Sequence, residues 1–170
     1  MTFAVVNGFN ITSANRQRSR PVDLRAIRPI VETLLGELLG IKTADLEVSL
    51  FDALDMARLN ETFLHHAGST DVITFDYSEP GTRNSEQQTR LHGEIFICVD
   101  EAIRQARRFR TTWQSEIVRY LVHGVLHLTG YDDQRAADRR KMKREENRLL
   151  RSLASRFPLS RLTRKPNLSA

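Results

Sequence analysis

The sequence predicts an α+β fold, a single domain in which about four strands form a mixed sheet packed by five or six helices. Three observations carry this. Runs of β-forming residues alternate with stretches of helical periodicity. One run, Ile95-Phe96-Ile97-Cys98-Val99, is almost wholly apolar, as in a strand covered on both faces. Finally, a chain of 170 residues, 40% hydrophobic, suffices for one real core, and one domain over 1–170 is the natural expectation.

Taken in order, Phe3 to Val6 reads as a first strand, and polar, basic Asn7 to Arg20 as a loop. A helix is expected from Pro21, with Leu24, Ile27, Ile30 or Val31, Leu34, Leu35 and Leu38 at helical spacing. Pro29 would split or kink it and Gly40 would close it. Leu46, Val48 and Leu50 alternate with polar neighbours, the period of a half-buried strand. Asp52 can cap a helix from Ala53 to Leu64, and His65 to Ser69 form a loop. Asp71 to Tyr77 reads as a strand, Ser78 to Arg90 as an exposed connection, and Leu91 to Val99 as the central strand. Asp100 can cap the next helix, and Thr111 or Thr112 a helix from Trp113 to Leu128. A last helix spans Ala136 to Ser155, and 156–170 reads as a flexible basic tail.

Composition excludes several classes. A lone cysteine, Cys98, rules out an internal disulfide framework. No apolar run approaches the roughly 18 residues of a membrane span, and no secretory signal is visible. A soluble, cytoplasmic protein without a membrane partner is expected. The net charge of +5 is uneven. From Arg135 onward, twelve Lys and Arg face three Asp and Glu, which leaves the first 134 residues at −4. Such a basic third is either a polyanion-binding surface, most simply for nucleic acid, or a solvated helix face with a basic tail.

The chemistry concentrates in His123-Gly-Val-Leu-His127-Leu-Thr-Gly130-Tyr-Asp-Asp133, or HxxxHxxGxxD. Two histidines four apart on a helix share a face, roughly 40° apart around the axis and about 6 Å along it. Gly130 can end the helix and let the chain return Asp133 toward the two rings. Leu121, Val122, Val125, Leu126 and Leu128 mark the helix as buried. Burying two imidazoles there costs about 1–3 kcal/mol each unless something binds them. Two His nitrogens and one carboxylate suit a zinc ion, one per chain, with a fourth position open. The zinc-protease motif places its general base directly after the first His, where this chain has Gly124, so an ordinary metalloprotease is disfavoured.

The His-Gly run resembles the signature of the YbeY family, bacterial single-strand-specific metallo-endoribonucleases, usually written HGxLHLxGYDH. Leu59-Asn60 with Thr70-Asp71-Val72-Ile73-Thr74-Phe75 resembles the family's LN…TDVLSF, and Gly93-Glu94-Ile95 its Gly-Asp-Ile. Met142 and Glu145-Glu146 fit its final helix. The resemblance spans about Leu46 to Leu150. It implies a zinc-dependent endoribonuclease acting on single-stranded rRNA, in 16S 3′-end maturation and ribosome quality control. Partners would include the ribosomal small subunit or its proteins. Two positions depart from the pattern. The third ligand, usually His, is Asp133, and an Arg held to engage RNA is Leu64, for which His65 or His66 could substitute.

Within that reading His123, His127 and Asp133 hold the metal. Glu116, seven residues before His123, either accepts a proton from a ligand ring or is a first-turn glutamate favoured by the helix dipole. His66 is either a donor near the phosphate or a loop residue in solvent. Arg139, Arg140, Lys143 and Arg144 on the last helix would contact RNA phosphate. Two alternatives remain open: a non-catalytic ribosome assembly factor with structural zinc, and a metal-dependent hydrolase of another bond.

Overall fold

The computed structural model describes residues 8–78 and 90–165. The strands are β1 (Gly8–Arg16), β2 (Thr43–Phe51), β3 (Val72–Asp76) and β4 (Arg90–Cys98). They form one mixed sheet in the order β1-β2-β4-β3. β1, β2 and β4 are parallel, and β3 pairs antiparallel with β4. β4 is therefore interior, as its apolar run required, with Leu91, Ile95 and Ile97 all buried. Parallel neighbours need long crossovers. The first carries helix α1 (Ile27–Glu32), and the second carries α2 (Ala53–Leu64) and β3. Three further helices follow: α3 (Val99–Phe109), α4 (Trp113–Leu128) and α5 (Ala136–Arg156).

The larger core joins α1, β2, β4, α4 and α5, with Val31, Leu34, Leu50, Ile95, Val125 and Leu149 among its fully buried members. A smaller cluster of Phe51, Met56, Ile73 and Cys98 lies toward α2. Phe96 links the rings of Phe51 and Phe75 there, at centroid distances of 5.1 and 5.3 Å. Local caps explain the starts of α2 and α4. Asp52 accepts the Asp55 N–H at 2.9 Å, and Thr112 Oγ1 accepts the Ser115 N–H at 3.2 Å.

Several expectations need correction. The segment read as a loop over Asn7 to Arg20 contains β1. It is an edge strand whose only buried apolar residue is Ile11, so its pattern is weak, and its backbone is satisfied by β2. The helix expected from Pro21 begins at Ile27, after a 3-10 turn over Leu24–Ala26 capped by Asp23. Pro29 then falls in the first turn, where its missing N–H has no intrahelical partner to lose. A π-helical turn, Thr33–Leu38, follows before Gly40 at φ 69°.

Asp100 does not cap α3. The cap position is Cys98, and the Asp100 carboxylate instead accepts the Ala53 N–H at 2.7 Å, tying the first turn of α3 to the start of α2. Residues 157–165, read as part of a free tail, dock. Leu159–Leu162 form a 3-10 turn, Leu162 is buried, and Thr163 bridges to Val22. The expected strand at Phe3 to Val6, most of the connection after Ser78, and residues 166–170 lie outside the described residues.

α4 lies very close to the sheet, and one glycine permits it. A Cβ built on Gly124 would sit 2.9 Å from Ile95 Cγ2 and 3.2 Å from Thr74 Cγ2. That packing leaves no space for a glutamate after the first His, which gives a structural reason for the missing protease base. Gly124→Ala is expected to overpack this contact and cost about 1–3 kcal/mol, lowering Tm by roughly 3–10 °C in a calorimetric scan. An unchanged Tm would mean the helix can move off the sheet.

Candidate metal centre

The centre is built by the end of α4 and the turn after it. Gly130, at φ 99°, takes the left-handed conformation that closes the helix. Gly130 N–H bonds to His127 O and Tyr131 N–H to Leu126 O, both at 3.0 Å, the paired bonds of a Schellman turn. The chain then folds back, and Arg139 Nε donates to the Asp133 backbone carbonyl at 3.0 Å. Asp133 is thereby presented to the two imidazoles.

The three side chains converge. Their nearest donor atoms all lie within 4.8 Å of one another. His123 Nε2 and His127 Nε2 are 3.1 Å apart, and Asp133 Oδ2 is 3.9 and 3.8 Å from them. A tetrahedral ion with bonds of about 2.0–2.1 Å needs donor separations of about 3.3–3.4 Å. The observed separations bracket that value, so the set fits a small divalent metal.

The hydrogen-bond partners of the two rings strengthen the case. His123 Nδ1 lies 3.0 Å from Glu146 Oε2, and His127 Nδ1 lies 3.1 Å from the Tyr131 carbonyl oxygen. Burial would push the Glu146 carboxyl up. The hydrogen bonds from His123, Lys143 and Arg119 outweigh it and hold the pKa at about 2. Both partners are therefore acceptors, and both Nδ1 atoms must donate. In neutral rings this leaves each Nε2 with a lone pair, the two facing each other at 3.1 Å. A cation shared by the two nitrogens relieves that contact.

The sequence placed Glu146 only on the family's final helix, without a role, and it takes the part considered for Glu116. The Glu116 carboxylate is buried but turned to Thr111, whose hydroxyl donates to it at 2.6 Å. A signal for Glu146 existed. It falls in the apolar stripe Met142, Leu149, Leu150 and Leu153 of an otherwise basic helix, and an acid in a buried position needs cationic partners.

Beside His123 and Asp133 lies a cleft of about 300 Å3. Its lining includes Arg119, Arg139 and Lys143, together with Asp71, Glu116 and Phe109. Of the four cations expected to contact RNA, Arg139 and Lys143 line this cleft, while Arg140 and Arg144 are exposed on α5 outside its lining. His66 is exposed in the loop after α2 and is not part of that lining. Leu64, 45% exposed at the end of α2, is not part of it either.

The family model described as Endoribonuclease YbeY matches residues 12–154. The chain belongs to the YbeY endoribonuclease family. A YbeY endoribonuclease of Salinibacter ruber is 32% identical, over 79% of this chain and 86% of that protein. One from Chlorobium phaeovibrioides is 39% identical, over 76% and 81%. A solution structure of a Thermotoga maritima protein superposes with a TM-score of 0.58 and 20% identity, covering 95% of this chain and 99% of that one. That likeness shows the fold alone. The match to YbeY runs from within β1 to the last turn of α5, so the convergent donors, the Schellman turn and Glu146 all lie inside it. Among the described residues no helix is long and apolar enough to cross a membrane.

Proposed function

We propose that this YbeY member is a zinc-dependent endoribonuclease that cuts single-stranded rRNA, with 16S 3′-end maturation and ribosome quality control as its setting. The observation that carries the reading is the pair of facing Nε2 atoms with the Asp133 carboxylate beside them, a donor set that suits a divalent cation. His123, His127 and Asp133 would hold one zinc ion per chain. Bound there, zinc supplies Lewis acidity toward a phosphodiester oxygen and toward the attacking water.

The protein's own groups do the rest. Glu146 and the Tyr131 carbonyl fix both ring orientations, so the donors are arranged before the metal arrives. Arg139 braces the turn that carries Asp133. Arg139 and Lys143 line the cleft on its α5 side, and Arg140 and Arg144 extend a cationic surface along that helix. These contacts would give affinity and salt dependence without sequence preference. The setting implies a cytoplasmic protein that meets the ribosomal small subunit.

Purified protein, with and without a chelator, should be incubated with single-stranded RNA, duplex RNA and casein. Cleavage of single-stranded RNA alone is expected, lost with chelator and restored by zinc. Casein cleavage would favour the hydrolase of another bond. Intact RNA, together with full rescue of rRNA processing in cells by a His127→Ala protein, would favour the assembly factor.

A further inference from the structure

Two features of the cleft are not used by the metal centre. Phe109, the last residue of α3, lines the cleft yet is 61% exposed. Arg110 follows it in the left-handed conformation, φ 55°, and Thr111 N–H bonds to Ala106 O at 3.0 Å. This closed turn holds the phenyl ring at the rim. The guanidinium carbon of Arg108 lies 5.2 Å from the ring centroid. Exposed aromatic rings at a nucleic-acid cleft are the surfaces on which unpaired bases stack.

The second feature is Tyr120, one turn before His123 on α4. It lines the same cleft and is only 5% exposed, and its buried hydroxyl has no hydrogen-bond partner among the described residues. Buried polar groups are almost always paired, so an orphan hydroxyl in a cleft wall points to a ligand. Burial, with the Asp71 and Glu116 carboxylates nearby, pushes its pKa far up, so it stays protonated and can donate. The same carboxylates disfavour a phosphate at this end of the cleft. A neutral base carries no such penalty, whereas Arg139 and Lys143 on α5 suit the phosphate.

We propose that the α3–α4 end of the cleft is a nucleobase subsite, where one unpaired base beside the scissile phosphate stacks on Phe109 and receives a hydrogen bond from Tyr120. This deepens the reading of the chain as a nuclease of single-stranded RNA and rests on it. The subsite explains why a hydrophobic ring is left in solvent and why a buried hydroxyl lacks a partner in the protein.

The test uses the full chain loaded with zinc. Substrates are a single-stranded RNA oligonucleotide and a set in which one abasic residue is walked along the same sequence. Wild-type protein should lose about tenfold in kcat/KM at one abasic position. Phe109→Leu should raise KM about tenfold on the intact RNA, leave kcat near wild type, and no longer respond to that abasic residue. Phe109→Trp should restore the wild-type KM. Tyr120→Phe should raise KM while its Tm stays level or rises, because an unpaired hydroxyl has been removed. Unchanged KM in the Phe109→Leu protein overturns the stacking platform, and unchanged KM in Tyr120→Phe overturns the hydrogen bond. Should wild-type protein leave all RNA intact, the nuclease reading falls and takes the subsite with it. Active wild type with unaltered variants overturns the subsite alone.

Discussion

The His127→Ala protein is expected to carry no stoichiometric metal and to lose RNA cleavage. Removing this ring takes away one of three converging donors and leaves His123 Nε2 with Asp133 Oδ2 at 3.9 Å. Two donors on an open cleft hold a divalent ion poorly. A ligand that binds only the folded state adds about 2.7 kcal/mol at a hundredfold excess over its Kd, so zinc should raise the wild-type Tm by roughly 5–10 °C. The variant should show no such rise. Metal analysis, a thermal melt with and without zinc, and the RNA assay check the three parts. One zinc per variant chain after dialysis would remove His127 from the ligand set.

The Glu146→Gln protein should fold, yet bind metal about 10–100-fold more weakly. Glu146 is buried, and three donors meet its carboxylate: Arg119 Nη1 at 2.6 Å, Lys143 Nζ at 2.8 Å and His123 Nδ1 at 3.0 Å. The amide keeps the shape and one acceptor, but it loses the charge that anchors the ring and balances Arg119. Lys143 is largely exposed and can turn to water, which limits the loss. A stability cost of about 2 kcal/mol is expected from the half-buried Arg119 left without its counter-ion. A competition titration against a chromophoric chelator reads the first effect, and urea denaturation the second. Wild-type metal affinity in this variant would mean the glutamate does not position His123.

The helices were the readable part of the fold. Asp52 and Thr112 announce α2 and α4 because a cap and its helix lie within a few residues of each other. The interior strand β4 declared itself through an unbroken apolar run. β1 was not readable. Its pairing partner, Thr43 to Phe51, is some 35 residues away, and an edge strand with Ile11 as its only buried apolar residue carries almost no alternation. The docked turn at Leu159–Leu162 was hidden for a similar reason. Its anchor, Leu162, lies in a short stretch without regular periodicity, and its burial depends on distant chain, with Thr163 meeting Val22 and Gln114.

The sequence alone determined which three side chains could share an ion, since two lie one helical turn apart and the third follows a glycine that must reverse the chain. Those relations are local, and helix geometry enforces them. It also announced the family, through a run that matches over a short span. Tertiary packing decided which carboxylate steadies the His123 ring. Glu116 stands on the same helix, while Glu146 comes from α5, 23 residues beyond His123, and only the docking of that helix brings it within 3.0 Å. The same packing assembled a cleft from α3, α4 and α5 around the metal centre. No spacing along the chain encodes that convergence, because it follows from how the apolar faces of those helices bury against one sheet.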